Sequence, residues 1–225
     1  MQITRKPLRI DFAPDGARCS FPGCNHHIER AHVVLEGDRE VLYGSECIQK
    51  VLSEDQMKAF SDLPNFTRRA RIAGTSGSRE ASQGGAPAGK PSELSLALEY
   101  LHLRLKIIPK FCSPALRRQL EYGPWAGIWE RLQSNGWLPR NDVRHILAIE
   151  KKTRTEKPAF QLRNLRDAYT AHVKLTRKRK KATSPRAIAF YDNLLNSLSN
   201  TLRLSPAQAG KAELKLPKTA FGNRG

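Results

Sequence analysis

The sequence predicts a mainly α-helical protein in which a small zinc-bound β-hairpin and helix module precedes a basic helical domain. Three of the four cysteines lie within residues 19–47, which is the clustering that a metal site requires. Apolar residues recur at helical spacing through residues 92–204. Of the net charge of +18, residues 1–73 contribute only +1, from 11 Lys and Arg against 10 Asp and Glu. The helical part is therefore strongly basic.

Composition divides the 225-residue chain into four segments. Residues 1–73 hold the cysteine cluster and a trailing helix. Residues 74–91 consist mainly of Gly, Ser, Ala and Pro without large apolar side chains, which is typical of a flexible linker. Residues 92–204 form the helical domain. Residues 205–225 are polar, basic and marked by Pro and Gly, and are predicted to be a disordered tail.

The cysteine-containing segment is predicted to fold as an extended stretch, a hairpin and a helix. Residues 1–18 are expected to be extended. Residues 28–35 and 39–43 flank a Glu-Gly-Asp turn and predict a β-hairpin. Apolar residues at helical spacing predict a helix from residue 46, with a new start at Ser53.

Proline, glycine and capping residues divide the helical domain into six predicted helices. Proline is favourable at a first helical position because its missing N–H has no partner there in any case. The predicted helices run from Ser92 to Pro109, from Pro114, from Pro124 to Gly136, over 141–152, over about 158–175 and from Pro185 to Leu202. The basic run 176–181 follows the fifth helix.

The third and fourth of these helices are predicted to form a hairpin, packed through Trp125, Trp129, Trp137 and Ile146. The alternative is a helix-turn-helix whose second helix, 141–152, would enter a major groove of DNA. The turn 136–140 is longer and stiffer than that motif normally has, which favours the plain hairpin.

The sixth helix carries an apolar stripe made by Ile188, Tyr191, Leu195, Leu198 and Leu202. Because the stripe is short, we expect it to dock on the other helices of the domain. The alternative is a coiled-coil seam that joins copies of the chain into a homo-oligomer through residues 188–202.

Cys19, Cys24 and Cys47 are the predicted metal ligands. A closed zinc site has four ligands, so one histidine would complete the set, and closed sites are usually structural. A Pro-Gly turn lies between the first two cysteines, and the predicted hairpin returns the chain so that Cys47 can meet them. Cys112 lies far from the cluster and is interpreted as a buried or incidental thiol.

The fourth ligand has three candidates, His26, His27 and His32. We prefer His27, because it stands at the start of the predicted hairpin beside the cysteine turn. His32 would have to point inward from the hairpin. An open, catalytic zinc site would also need a general base, and the pattern favours the closed, structural site.

The order of cysteine turn, hairpin and ligand at a helix start is that of a treble clef. The chain resembles small treble-clef-like zinc modules of unassigned function in phage, plasmid and bacterial proteins at Cys19, Cys24, Asn25, Ile28, Gly44 and Cys47. The resemblance covers residues 17–52. It departs in having four residues rather than two between the first cysteines, and Ser45 where some modules have a cysteine. It implies a zinc-binding protein of a phage or other mobile element.

A second resemblance lies towards the C-terminal end. Residues 198–214 are similar to the end of one family of phage terminase small subunits, in which a helix ends in a Leu-x-Leu-Ser/Thr-Pro turn before a short helix. The arginine expected after this proline is missing here. The resemblance implies a DNA-packaging oligomer as an alternative function.

The charge behind the cysteine module predicts a polyanionic partner. Residues 74–225 carry 28 Lys and Arg against 11 Asp and Glu, and residues 151–186 alone carry 13 against 2. Nucleic acid is the commonest such partner, and we expect DNA ahead of RNA. The predicted phosphate contacts are Lys151, Lys152, Arg154, Lys157, Lys174, Arg177, Lys178, Arg179, Lys180 and Lys181. The run 176–181 could instead be a solvated connector or, in a eukaryote, a nuclear-localisation patch.

The sequence thus predicts a non-enzymatic nucleic-acid-binding protein. It contains no Gly-rich phosphate loop, and no nucleophile or carboxylate pair in a catalytic context. No apolar run approaches the roughly 20 residues that span a bilayer, so we expect no membrane partner and a cytoplasmic location, or the nucleus in a eukaryote. The alternative from another class is an adaptor whose nearly neutral residues 1–73 dock a host or viral protein.

Overall fold

The computed structural model describes residues 4–67 and 91–214 and confirms a mainly helical protein with one small antiparallel sheet. The chain divides into two compact units, Met1–Glu99 and Tyr100–Gly225. In the described ranges the strands and α-helices are β1 (Arg5–Phe12), β2 (Arg30–Glu36), β3 (Arg39–Tyr43), α1 (Ile48–Val51), α2 (Glu54–Ala59), α3 (Glu93–His102), α4 (Pro114–Leu120), α5 (Pro124–Asn135), α6 (Arg140–Glu156), α7 (Leu162–Lys181), α8 (Pro185–Thr201) and α9 (Pro206–Lys211). A π-helical turn, Leu103–Ile107, and a 3-10 turn, Ile108–Lys110, follow α3, and a second 3-10 turn, Pro158–Phe160, precedes α7. None of the helices in these ranges is both long and apolar enough to cross a bilayer.

The first unit is built on a three-stranded antiparallel sheet in the order β1-β2-β3. β2 and β3 are the two strands of the predicted hairpin, which is confirmed. β1, predicted only to be extended, pairs with β2 so that Arg5 lies opposite Glu36. The register shifts between Pro7 and Arg9, where proline has no N–H to give to the ladder.

Alternate side chains of β2 enter two separate apolar clusters. The first cluster contains the cysteine segment together with α1 and α2, and its buried members are Ile10, Cys19, Val34, Tyr43, Ile48, Leu52 and Phe60. The second cluster contains the buried residues Ala13, Ala31 and Val33. Each cluster is small, so apolar burial alone gives the first unit a limited stability.

The first unit extends into α3. After α2 the chain returns to β1, where the Phe66 N–H donates to the Ile10 carbonyl at 2.9 Å. The buried Ser95 hydroxyl, at the start of α3, donates to the Leu63 carbonyl at 2.8 Å. All but the last residue of the predicted linker, 74–91, lies outside the described residues, so its flexibility stays a prediction.

Helix ends in the second unit are confirmed where proline, glycine or a capping serine marks them. α4 and α5 begin at Pro114 and Pro124. α5 ends at Gly136, whose left-handed backbone (φ 73°) is readily adopted by glycine. At the start of α8 the Ser184 hydroxyl accepts a hydrogen bond from the Ala187 N–H.

α7 is longer than predicted, because it includes the basic run 176–181 and ends only at Lys181. The prediction ended this helix at about residue 175, where its apolar residues cease. Lys and Arg are good helix formers, and cations are favourable at a helix C-terminus. The run is therefore the end of a helix and not a connector between helices.

α8 packs along α7 and against α4. Two residues of the predicted stripe, Leu198 and Leu202, are buried, and Leu194 is buried with them. The Arg179 Nε atom lies 3.0 Å from the Asp192 Oδ1 atom and joins the two helices at the surface. The stripe thus docks on helices of the chain itself.

A buried arginine lies in the core of the second unit. The Arg104 guanidinium lies between 5.2 and 5.7 Å from three ring centres, those of Tyr100, Trp125 and Phe160. It also donates to the Tyr100 hydroxyl at 3.0 Å and to the Leu120 carbonyl at 2.8 Å. These contacts offset part of the cost of burying the charge and fix Trp125 at the start of α5.

Residues 206–211 form a helix, α9, within the segment that the sequence predicted to be a disordered tail. The Ser205 hydroxyl accepts from the Gln208 N–H, and the Gln208 side chain accepts from the Ser205 N–H, which completes a capping box. The prediction failed because few large apolar residues mark this segment. The rest of the predicted tail, residues 215–225, lies outside the described residues.

Leu214→Ala should lower the free energy of unfolding of the second unit by about 2–3 kcal/mol. Leu214 is buried at the end of the α9 segment, as are Ala209 and Ala212, so the shortened side chain would leave a cavity. Chemical denaturation of the full chain measures this change. Lys211→Ala, at an exposed position of α9, is the matched control with little effect expected. Equal stability of the two variants would mean that the segment does not pack in solution.

Candidate metal centre and basic surface

Three cysteine side chains meet in the first unit. The Sγ atoms of Cys19, Cys24 and Cys47 all lie within 4.8 Å of one another, and the thiols are free. Around a tetrahedral zinc ion two cysteine sulfurs are about 3.8 Å apart, because each lies about 2.3 Å from the metal. The three thiols are therefore close enough to hold one metal ion, and their predicted association is confirmed.

A tight turn positions the first two cysteines. The Cys24 N–H donates to the Phe21 carbonyl at 2.9 Å, and Gly23 has a left-handed backbone (φ 79°) that glycine adopts without a steric cost. The Cys19 N–H donates to the His26 carbonyl at 3.0 Å and closes a wider loop around this turn. Both hydrogen bonds fold the segment back on itself, which brings the two thiols together.

The third cysteine reaches this turn through the hairpin. The Ser20 N–H donates to the Leu42 carbonyl at 2.9 Å and ties the cysteine turn to β3. Just after β3, the Gly44 N–H donates to the Cys19 Sγ atom at 3.4 Å. Cys47 follows and immediately precedes α1. The cluster therefore joins the turn, the hairpin and the start of a helix.

The thiols differ in acidity. Hydrogen bonding to the His26 backbone, and secondly to Cys47, lowers the pKa of Cys24 to about 7. Burial, and secondly hydrogen bonding to Cys24, raises the pKa of Cys47 to about 12. Adjacent thiolates repel one another, so a divalent cation would allow all three thiols to lose their protons near neutral pH.

His26 is the histidine that lies against a cysteine of the cluster. Its Nδ1 atom is 3.4 Å from the Cys24 Sγ atom. His27, the predicted fourth ligand, forms a backbone bridge with Arg18, and its side chain is exposed. In the described ranges, the group of mutually close ligand atoms consists of the three thiols, and neither His26 nor His27 belongs to it.

His32, the third candidate, is a buried side chain of β2. Its ring meets the Phe60 ring edge-on, with the ring centres 5.1 Å apart. Burial, and secondly the nearby Arg30 cation, lowers the pKa of His32 to about 4, so the imidazole is neutral at pH 7. Its contact with Phe60 places it in the core of the first unit.

These residues fit a structural metal ion. Three thiols with an adjacent imidazole form a donor set that suits zinc better than magnesium or calcium, which prefer oxygen ligands. Cys19 is buried and Cys24 and Cys47 are half-buried, so the donors sit at the edge of an apolar cluster. Ligation would cross-link the turn, the hairpin and α1.

The predicted phosphate contacts lie on two segments of the second unit. One group is at the end of α6 and just beyond it, and comprises Lys151, Lys152, Arg154 and Lys157. The other is on the second half of α7, and comprises Lys174, Arg177, Lys178, Arg179, Lys180 and Lys181. The structure thus places all ten on helices or beside one.

Ion pairs within the chain divide these cations. Four of them form ion pairs: Lys152 with Glu156 at 3.5 Å, Arg154 with Glu150 at 2.7 Å, Lys178 with Glu213 at 3.2 Å and Arg179 with Asp192 at 3.0 Å. Of the ten predicted phosphate contacts, four are exposed and make no ion pair with any described residue, namely Lys151, Lys157, Lys180 and Lys181. We call these four the free lysines, and they can bind an external anion without losing an internal partner.

No protein-family model, curated protein or solved structure matches this chain. The resemblances to phage zinc modules and terminase small subunits therefore stay predictions. The thiol cluster of the first unit and the exposed cations of the second unit are the features that bear on function.

Proposed function

We propose that the chain is a non-enzymatic nucleic-acid-binding protein, with a structural zinc ion in the first unit and phosphate contacts in the second. The observation that carries this proposal is the one-sided charge of residues 151–186, with 13 Lys and Arg against 2 Asp and Glu. The free lysines on α6 and α7 support it, because exposed unpaired cations release counterions when they meet phosphates. Such contacts give affinity with little sequence preference. We expect DNA ahead of RNA.

Zinc is the proposed metal, and the proposed fold of the site is a treble-clef-like module. The close approach of three thiols supports this assignment. The small size of the apolar clusters around the sheet supports a structural role, because metal ligation would then supply much of the folding free energy. A phage or other mobile element is the proposed source, from the resemblance of residues 17–52.

We propose His26, and not the initially preferred His27, as the fourth ligand. The distance of 3.4 Å between the His26 Nδ1 atom and the Cys24 Sγ atom supports this choice. One residue, Asn25, separates this histidine from Cys24 along the chain. A thiolate and an imidazole that share one metal ion must lie this close together.

His26→Ala should weaken zinc binding by about 100-fold or more, whereas His27→Ala should leave it nearly unchanged. Competition with a chromophoric zinc chelator measures both affinities on the full chain. The two histidines are adjacent, exposed and equal in size, so each variant is the control for the other. The reverse order of affinities would assign the ligand to His27.

Fluorescence anisotropy of the full chain with labelled single-stranded DNA, duplex DNA and RNA, across a salt series, tests nucleic-acid binding. We expect binding that weakens steeply as salt rises, because phosphate contacts dominate. The absence of binding to all three probes near physiological salt would contradict the proposed function.

A second candidate function is a protein-interaction adaptor. The nearly balanced charge of residues 1–73, with 11 Lys and Arg against 10 Asp and Glu, favours a protein partner over a polyanion for that part. In this case the first unit would dock a host or viral protein and the second would tether the pair to nucleic acid. A pull-down that uses the zinc-loaded full chain as bait would detect such a partner. A partner bound by the wild-type bait and lost from a Cys47→Ser bait would be assigned to the first unit.

A DNA-packaging oligomer remains the third candidate. In its predicted seam, residues 188–202, the side chains of Leu198 and Leu202 are already buried against helices of the same chain. An oligomer would therefore need additional surface. Light scattering on the full chain distinguishes a monomer from a homo-oligomer.

A further inference from the structure

We propose that the second unit binds single-stranded nucleic acid by stacking bases on an aromatic platform made by Trp137 and Tyr122 beside α6. This inference rests on the proposed nucleic-acid-binding function and names the form of nucleic acid and the site. The two residues are the large hydrophobic side chains found exposed in the described ranges, at 59% and 40%. Tyr122 precedes α5 and Trp137 follows it, so the two rings are separate stacking points at opposite ends of a 12-residue helix about 18 Å long. Both lie in a unit whose charge attracts phosphates.

Trp137 was predicted to pack between α5 and α6, but its side chain lies mostly in solvent. The turn that carries it is nevertheless well anchored. Gly136 ends α5 with a left-handed backbone, and Leu138 is buried, with 5% exposed. An exposed indole on a fixed turn keeps a face open to a base, and little ordering is needed when the base stacks on it.

A salt bridge clamps the two helices next to this turn. The Arg131 guanidinium donates to both carboxylate oxygens of Asp142, and each distance is 2.8 Å. A bidentate pair fixes orientation as well as distance. The turn is thus held between two helices whose relative position is set by this pair.

Tyr122 is held by two aromatic neighbours. Its ring packs edge-on against the buried Trp125, with ring centres 5.2 Å apart. It stacks against His145 of α6 at 6.0 Å, and its hydroxyl lies 3.3 Å from the His145 Nε2 atom. The ring therefore has a fixed orientation although 40% of its residue surface is exposed.

Three exposed cations lie along α6, the helix that Tyr122 contacts through His145. Arg140, Arg144 and Lys151 recur at intervals of four and seven residues, which places them on one face of the helix. They are exposed and make no ion pair with any residue that the structure describes. At about 1.5 Å per residue, they extend about 16 Å along the helix, which is room for several phosphates.

The combination of open rings and cations points to a single strand. In a duplex the base faces are already stacked on one another, so an exposed indole gains nothing from them. In a single strand each base has a free face, and stacking on an aromatic side chain is tolerant of sequence. An insertion of α6 into a major groove, the alternative arrangement, would instead favour duplex DNA.

Trp137→Ala should lower the affinity of the full chain for oligo(dT) by about tenfold while changing duplex affinity less than about twofold. Trp137→Phe keeps a stacking ring and should retain most of the single-strand affinity. Because Trp125 is 1% exposed, quenching of intrinsic tryptophan fluorescence by oligo(dT) should come mainly from Trp137 and be lost in both variants. Trp129→Phe, which replaces a half-buried indole, should keep the quenching.

The outcomes separate this inference from the proposed function. If the wild-type chain binds no nucleic acid, both fail. If the wild-type chain binds but Trp137→Ala keeps the wild-type affinity and fluorescence quenching with oligo(dT), the aromatic platform is wrong and the phosphate-binding function stands. The same conclusion follows if the wild-type chain prefers duplex DNA and Trp137→Ala weakens binding to duplex DNA and to oligo(dT) equally. Circular dichroism checks that the alanine variant is folded, which is expected because Trp137 is exposed.

Discussion

Cys47→Ser should release zinc from the protein and unfold the first unit, whereas Cys112→Ser should do neither. Cys47 is one of three thiols within 4.8 Å of one another, and it joins the end of the hairpin to α1. Zinc binding to small structural modules contributes about 10–16 kcal/mol, which matches or exceeds the total stability of a typical domain. With one ligand lost, the small apolar clusters of the first unit would not keep the sheet folded.

Metal content per chain and amide hydrogen exchange measure this effect. We expect one zinc per wild-type chain and slow exchange at the paired amides of β1, β2 and β3. Both should be lost in Cys47→Ser and after treatment with a strong chelator. Cys112 is a buried cysteine of the second unit outside the cluster, so Cys112→Ser controls for the loss of a thiol. Slow exchange in a wild-type chain that contains no metal would contradict a structural zinc.

Elements with a strong local signal could be predicted from the sequence. The hairpin followed from alternating residues around a Gly-containing turn. Helix ends at Pro114, Pro124 and Gly136 followed from the backbone preferences of proline and glycine. The three cysteines could be grouped because a turn and a hairpin are the connections that bring such segments together.

Features that depend on tertiary contacts could not be predicted. β1 pairs with a strand 18 residues or more away, and its own pattern shows only an extended chain. α9 has a local start signal in Ser205, Pro206 and Gln208, but its few apolar residues, Ala209 and Ala212, become buried only through packing. Trp137 is exposed because of the backbone path of the turn between α5 and α6. Residue type alone does not determine that path.

The proposed choice between His26 and His27 depends on local geometry that the sequence pattern does not contain. The sequence favours His27 because it starts the predicted hairpin, where its backbone pairs with Arg18. His26 lies one residue closer to the cysteine turn, and its ring faces the Cys24 thiol at 3.4 Å. The zinc affinities of His26→Ala and His27→Ala decide between the two.

Replacing the four free lysines by glutamine should clearly lower the salt dependence of nucleic-acid binding. The variant changes Lys151, Lys157, Lys180 and Lys181, which are exposed and without an ion-pair partner in the described ranges. Each phosphate contact contributes about 0.7–0.9 to the slope of log K against log salt, so the slope should fall by about 3. Affinity near physiological salt should fall by about 100-fold or more.

Anisotropy across a salt series measures the slope and the affinity together, and a matched pair of double variants locates the effect. Lys180→Gln with Lys181→Gln should lower the slope by between about 1 and 2. Lys6→Gln with Arg39→Gln makes the same change in net charge at exposed positions of the first unit and should leave the slope unchanged. Equal losses from both pairs would mean that the partner senses only total charge, and would contradict a phosphate-binding surface on α6 and α7. A slope that falls only for the α7 pair would place the phosphates along the end of that helix, where the macrodipole disfavours anions and the lysine side chains must therefore supply the attraction.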